Sequence, residues 1–212
     1  MNRILCAALL AGAAGPAWGG ELGLEAMREA ECPGVRQCIV DGAEITAGPG
    51  EDARLVEQSY RGIIGLGVAL TDTEAPRDRE IQGPIAEGDV PGERLTVAFD
   101  APRRIDRIAI THLFNPGVPG DPQEEALIEG HLAGESLGTL SIRSLSDEAG
   151  GFDVGDLGLV ATVLRESPEA GTYVIVEPFG GEVDRLVFRA GRVESGDTSD
   201  YSLMGIVSRP AE

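Results

Sequence analysis

From residue 36 onward the chain runs in short stretches rich in Val, Ile, Leu and Thr, each closed by Gly, Pro, Asp or Ser. Such a pattern is the signature of many strands joined by turns. It predicts strands over 37–45, 55–59, 63–70, 94–100, 104–113, 126–132, 138–144, 157–165, 172–178, 185–190 and 202–207. Alternation is clearest in RLTVAFD, where Leu95, Val97 and Phe99 point one way and Arg94, Thr96, Ala98 and Asp100 the other. In TYVIVEPF, Tyr173, Ile175 and Glu177 oppose Val174, Val176 and Pro178; in DRLVFRA, Leu186 and Phe188 oppose Arg185, Val187 and Arg189. In RIDRIAITHLF the positions Ile105, Ile108 and Ile110 break period two, so a bulge near Asp106 or burial on both faces is expected. Eleven such strands with one apolar face would leave wet edges in an open sheet. The expected fold is therefore all-β: an antiparallel, two-sheet β-sandwich, with a closed barrel as the other solution. Leu95, Val97, Phe99, Ile175, Leu186, Phe188 and Leu203 are its expected core.

Ahead of the strands, GGELGLEAMREAE predicts a turn or two of helix with Leu24, Met27 and Leu22 on one side. The first residues, Asn-Arg, then ILCAALLAGAA, then GPAWG, have the basic start, short apolar stretch and small-residue end of a secretory signal peptide over 1–19. The apolar stretch is well short of the roughly 20 residues that span a bilayer. Cleavage is expected after Ala17 or Gly19, and Cys6 lies too near the start to carry a lipid. The expected product has an N-terminal extension over 20–35 and one domain over 36–212, with neither a composition break nor a fixed-period repeat. Its two cysteines, Cys32 and Cys38, are an even pair close in sequence, and in an oxidising compartment they are expected to form a disulfide. Closing so short a loop contributes roughly 2 kcal/mol. The location implied is the periplasm or the extracellular space.

Charge narrows the partners. The chain has 36 acidic residues against 17 basic ones, all arginine, for a formal net charge of -19, and loss of Arg3 with the leader takes it to -20. Nucleic acids and anionic membranes are bound by positive charge, so neither is an expected partner. The main irregular stretch, 71–92, is dense in acidic residues, Pro and Gly, and a second loop spans 115–125. Loops of that length in a compact sandwich are functional or mobile. Hard cations take several oxygens from carboxylates and loop carbonyls, so a structural calcium ion held by Asp72, Glu74, Glu80 and Asp200, with Asp197 as another candidate ligand, is an expectation set against plain solvated acids. For Asp121, Glu124 and Glu125 the solvated reading is the expected one.

GLGVAL (65–70), then REIQG (79–83), then GERLTVAFDAPRRIDRIAITHLF (92–114) and the closing SDYSLMGI (199–206) form a set. The set resembles secreted bacterial β-sandwich proteins of the galactose-binding or jelly-roll type, commonest in exported proteins with PEP-CTERM-type sorting tails. The resemblance spans about residues 60–207 and implies a fold and an exported location, with no reaction attached. Gln82 stands where that pattern has an acid, and the stretch up to Glu212 holds neither an apolar helix nor a basic tail, so anchoring is not implied.

Nucleophilic catalysis needs a nucleophile beside a base. His112 and His131 both lie in predicted strands with no nucleophile motif around them and are expected to be packing residues, and the match to G-x-S-x-G is absent. Carboxylate pairs abound by chance among 36 acids. Aromatic platforms for sugar rings are scarce, because beyond the leader the chain holds three tyrosines, five phenylalanines and no tryptophan. The expected function is an exported non-catalytic module that binds a glycan or an extracellular or envelope protein. A carbohydrate-active hydrolase or lyase on a jelly roll is the alternative. A sheet face with a deep groove and two convergent carboxylates would favour the enzyme, and a shallow or filled face the module.

Overall fold

The computed structural model describes residues 22–60, 62–70, 80–84, 92–114, 124–143, 161–165, 170–191 and 199–211. Residues 1–21, where the leader is expected, and Asp72, Glu74, Asp121 and Asp197 lie outside the described residues. In chain order the elements are β1 (Leu22–Gly23), α1 (Leu24–Glu29), β2 (Gln37–Val40), β3 (Ala43–Gly48), β4 (Arg54–Tyr60), β5 (Ile63–Ala69) and β6 (Arg94–Phe114). They continue with β7 (Glu125–Leu132), β8 (Glu135–Arg143), β9 (Ala161–Arg165), β10 (Ala170–Val176), β11 (Glu182–Ala190) and β12 (Ser202–Pro210). The strand pairings are antiparallel and join the strands into one curled sheet.

The long strand β6 organises that sheet. Along one edge it pairs first with β3, at residues 94–99, and then with β12, at 103–111. Along the other it pairs first with β11 and then with β10. The predicted strands at 94–100 and 104–113 are thus one element, and the interruption between them survives as a register shift. Val183 faces Arg103 while Arg185 faces Ala98, so Phe99–Pro102 carry the excess length. Pro102 has no N–H to donate and marks the place where the ladder gives way. The bulge expected from the broken alternation is also present: Val207 faces Arg107 and Ser208 faces Ile105, leaving Asp106 unopposed.

A second correction concerns 37–45, which is a hairpin of β2 and β3 and not a single strand. Asp41 and Gly42 turn it, with φ of 47° and 75°. Two positive φ values at the centre of a two-residue loop are what a twisted hairpin demands, and Asp-Gly supplies them.

All seven expected core residues belong to one buried cluster, which takes side chains from both halves of β6 and from the strands paired to each half. Leu22, Met27 and Cys32 belong to the same cluster, and Leu22–Gly23 pair with Ile206–Gly205. The stretch read as an extension therefore packs into the core from residue 22 on. Cys32 and Cys38 are disulfide-bonded, which ties that stretch to β2. Burial is less one-sided than alternation alone implies, since Val174 and Val187 are also buried, outside the main cluster. Val174 lies between Ala109 on β6 and Thr162 on β9, so strands cover both its flanks.

Candidate functional site

Two places gather chemistry-bearing side chains. The first is a fork between β5 and β12, which meet at Leu66 and Leu203. Beyond that point Glu80–Gly83 fills the gap. Ile81 N–H donates to Tyr201 O at 2.7 Å, Gly83 N–H to Ser199 O at 2.8 Å, and Val68 N–H to Glu80 O at 3.5 Å. Glu93 clasps the same segment, its Oε2 accepting Gln82 N–H at 2.8 Å while its own N–H donates to Gln82 O at 2.8 Å. Ile81 enters the core, and Glu80 beside it reaches His112 Nδ1 at 3.0 Å.

His112 is brought there by an irregularity of β6. Between Gly171 and Tyr173 the partner strand β10 shifts register, so that Thr172 lies opposite both Thr111 and His112. A bulge of this kind re-aims a side chain. Here it keeps both Ile110 and Leu113 in the core and turns Thr111 and His112 to a buried polar cluster, His112 at φ 63°. The imidazole is 0% exposed and Glu80 3%. His112 Nε2 lies 3.3 Å from Ile63 O, and Nδ1 lies 3.2 Å from Ser202 Oγ. A carbonyl can only accept, so Nε2 is a nitrogen assigned a hydrogen, while Nδ1 faces both Glu80 Oε1 at 3.0 Å and the Ser202 hydroxyl at 3.2 Å. Thr111 and Thr172 share a hydroxyl hydrogen bond of 3.1 Å, and the Tyr60 ring meets the imidazole edge-on at 6.4 Å. Gly65 lets these groups close up, because a Cβ there would collide with the Ser202 Cβ and the Thr111 methyl.

Burial pushes the His112 pKa below its ordinary value, against the opposing pull of the Ile63 carbonyl and of Asp200. His131 is shifted the same way, by burial first and then by Arg185, with Asp184 opposing. The folded protein thus binds fewer protons than the unfolded chain as pH falls through the imidazole range. Stability is expected to rise with pH up to about 6.5 and to fall on acidification, by at most about 1.4 kcal/mol per pH unit for each ring. Urea unfolding of the natural chain and of His112→Gln at several pH values checks this. The variant should have the shallower slope between about pH 5 and 6.5, and equal slopes would refute a neutral buried ring.

Of the expected calcium ligands, Glu80 and Asp200 both lie at this fork, Asp200 acting electrostatically on His112. Among the described residues no group of three or more His, Cys, Asp and Glu side chains is placed to hold a metal ion. The solvated reading fails for Glu124, which is buried. Glu125 is half-buried and takes Arg143 Nε at 2.8 Å. The reason lies at the start of β7, where Gly191 N–H and Ser199 Oγ both donate to Glu125 O, at 2.7 and 3.0 Å, and fold the chain over these acids.

The second place is a small hollow, partly open to solvent, where β6, β12 and the β10–β11 turn meet. Arg104, Ile105, Asp106, Glu177, Gly180, Gly181 and Arg209 line it. Arg209 Nε donates to Asp106 Oδ1 at 3.1 Å, and Glu177 N–H donates to Asp106 O at 2.9 Å. None of these residues stood out as a site residue in the sequence. The one available signal was the broken alternation at Asp106, which foretold the bulge but not what gathers around it.

No protein-family model matches the chain, and neither a curated protein nor a solved structure matches it.

Proposed function

We propose that the protein is an exported, non-catalytic binding module of the periplasm or extracellular space, with a glycan or an envelope protein as its partner. The observation that carries this reading is the enclosure of both histidines. His112 is fully buried, and neither ring nitrogen of His131 reaches solvent. A general base must come within hydrogen-bond reach of its substrate, and rings enclosed this way are not placed to do so. On this reading the curled sheet is a two-sheet sandwich of the jelly-roll or galactose-binding type, folded about the bend in β6. The change of partners along β6 supports it, as does Tyr201, whose hydroxyl spans from the lead-in of β12 to Leu127 O on β7 at 3.3 Å. The leader over 1–19 and the disulfide between Cys32 and Cys38 support export.

A glycan array with the full chain, followed by calorimetry of each hit and analysis of the glycan for cleavage, tests the proposal. Binding with the glycan intact supports it. A carbohydrate-active hydrolase or lyase is the second reading, favoured by Asp106 and Glu177 lining one hollow. Product formation that Glu177→Gln abolishes would establish the enzyme and overturn the module.

A calcium ion at the fork, on Asp72, Glu74, Glu80 and Asp200, is a separate proposal, supported by the meeting of Glu80 and Asp200 there. An ion that binds only the folded form at about 100 times its Kd adds roughly 2.7 kcal/mol. Several millimolar calcium should therefore raise the Tm where magnesium and monovalent salt do not, and Asp200→Asn should remove the rise. An equal rise with magnesium would reject the site.

A further inference from the structure

The hollow between β6, β12 and the β10–β11 turn carries an inference that goes beyond the proposed glycan or protein partner and assigns this hollow a ligand of its own. Arg104 on β6 and Arg209 on β12 are register partners. Like charges directly opposite one another destabilise a sheet, and this pair occurs in a chain where acids outnumber arginines 36 to 17. Arg209 is held by Asp106. Arg104 has Glu182 as its cross-strand neighbour on the other side, yet no ion pair or hydrogen bond engages its guanidinium among the described residues. Glu177, on the same rim, is held at φ 47° by its N–H bond to Asp106 O. A side chain in that region is strained, and such positions cluster at ligand sites. The following turn leaves the Gly180 and Gly181 N–H groups without a backbone acceptor among the described residues.

We propose that this hollow binds a small zwitterion, with a carboxylate and an ammonium group on one carbon as in a free α-amino acid. The carboxylate lies against Arg104 and the glycine N–H groups, and the ammonium against Glu177. Three observations select this chemistry. Both signs of charge line the hollow, so a lone anion would face Glu177 and a lone cation Arg104. The net charge of -19 repels an approaching anion but not a molecule of zero net charge. Ile105 is the sole apolar side chain in the lining and no aromatic ring is present there, which leaves a sugar ring or a large apolar group without a platform. The hollow is small and partly open to solvent, which fits a ligand of only a few heavy atoms and excludes a drug-sized one.

The test is an amide-resolved NMR titration of the full chain with L-alanine, and with acetate, methylammonium and glucuronate as controls. Alanine is expected to give saturable shifts at Gly180 and Gly181, with acetate and methylammonium at least about tenfold weaker. Arg104→Gln and Glu177→Gln should each weaken alanine binding by about tenfold or more. Both residues are exposed, so amide shifts remote from the hollow should stay unchanged, and the control ligands test the same point without any substitution. Absence of a saturable alanine shift overturns the proposal. So does acetate or glucuronate binding as tightly as alanine with no loss in Glu177→Gln, which would mark a plain anion site. A glycan that binds elsewhere while alanine leaves the hollow unperturbed would reject the zwitterion and leave the binding module standing.

Discussion

Tyr201→Ala is expected to cost about 3 to 5 kcal/mol, the range for deleting a fully buried aromatic ring. Tyr201 is 0% exposed. Its loss would leave a cavity beside the fork and remove the bond from its hydroxyl to Leu127 O, while the backbone carbonyl that anchors Ile81 would remain. The hydroxyl sits where β11 and β7 meet, with the Arg189 backbone close enough to act on it, and Arg189 and Leu127 are register partners. Burial raises the phenol's pKa well above its ordinary value, against the opposing pull of Arg189, so the group is protonated and donating at neutral pH. Tyr201→Phe separates the two contributions. It keeps the ring and leaves a buried carbonyl short of one donor, a change of about 1 to 3 kcal/mol. Chemical denaturation of the three proteins measures both steps. If Tyr201→Ala cost no more than Tyr201→Phe, the ring would not be a packing element and the fork would be held by its backbone bonds alone.

Phe188→Ala is the second large effect, again about 3 to 5 kcal/mol. Phe188 is 0% exposed and lies in the central strand β11, between Leu95 on β6 and Ile128 on β7, both buried. A strand bonded on both edges is poorly able to collapse into the space left by a ring, so little of the cavity would be recovered. Phe188→Leu retains much of the volume and should cost markedly less. The neighbouring Arg189→Ala probes the opposite face, where the side chain is exposed and pairs with Glu129. It is expected to change stability by about 1 kcal/mol or less. Urea unfolding of these variants orders the two faces of β11, and a larger loss for Arg189→Ala than for Phe188→Ala would mean the faces are reversed.

The contrast between adjacent residues shows how far local pattern reaches. Period-two alternation places Leu95, Val97 and Phe99, and Leu186 and Phe188, on the buried side, because successive side chains of a strand point to opposite faces wherever that strand sits. The disulfide partners were legible for a similar reason, as only a short loop separates Cys32 from Cys38. Broken alternation at Asp106 announced a bulge, since an extra residue changes the phase of every side chain after it. The Asp41–Gly42 hairpin carried a turn signal too, but the apolar residues on either side of it join into one run and hid the break.

The local sequence thus determined most of the strand positions, the apolar face of β6 and β11, which cysteines bond and the loss of phase at Asp106. Tertiary structure alone decided that Glu80 leaves an acidic stretch to lie 3.0 Å from His112, and that Arg104, Asp106, Glu177 and Arg209 share one hollow. These groupings depend on register between strands far apart in the chain, and on the bulges at Asp106 and at Thr111–His112 that turn side chains by one phase. Register across such distances follows from closing a shared core around β6, a global packing condition that no window of neighbouring residues contains.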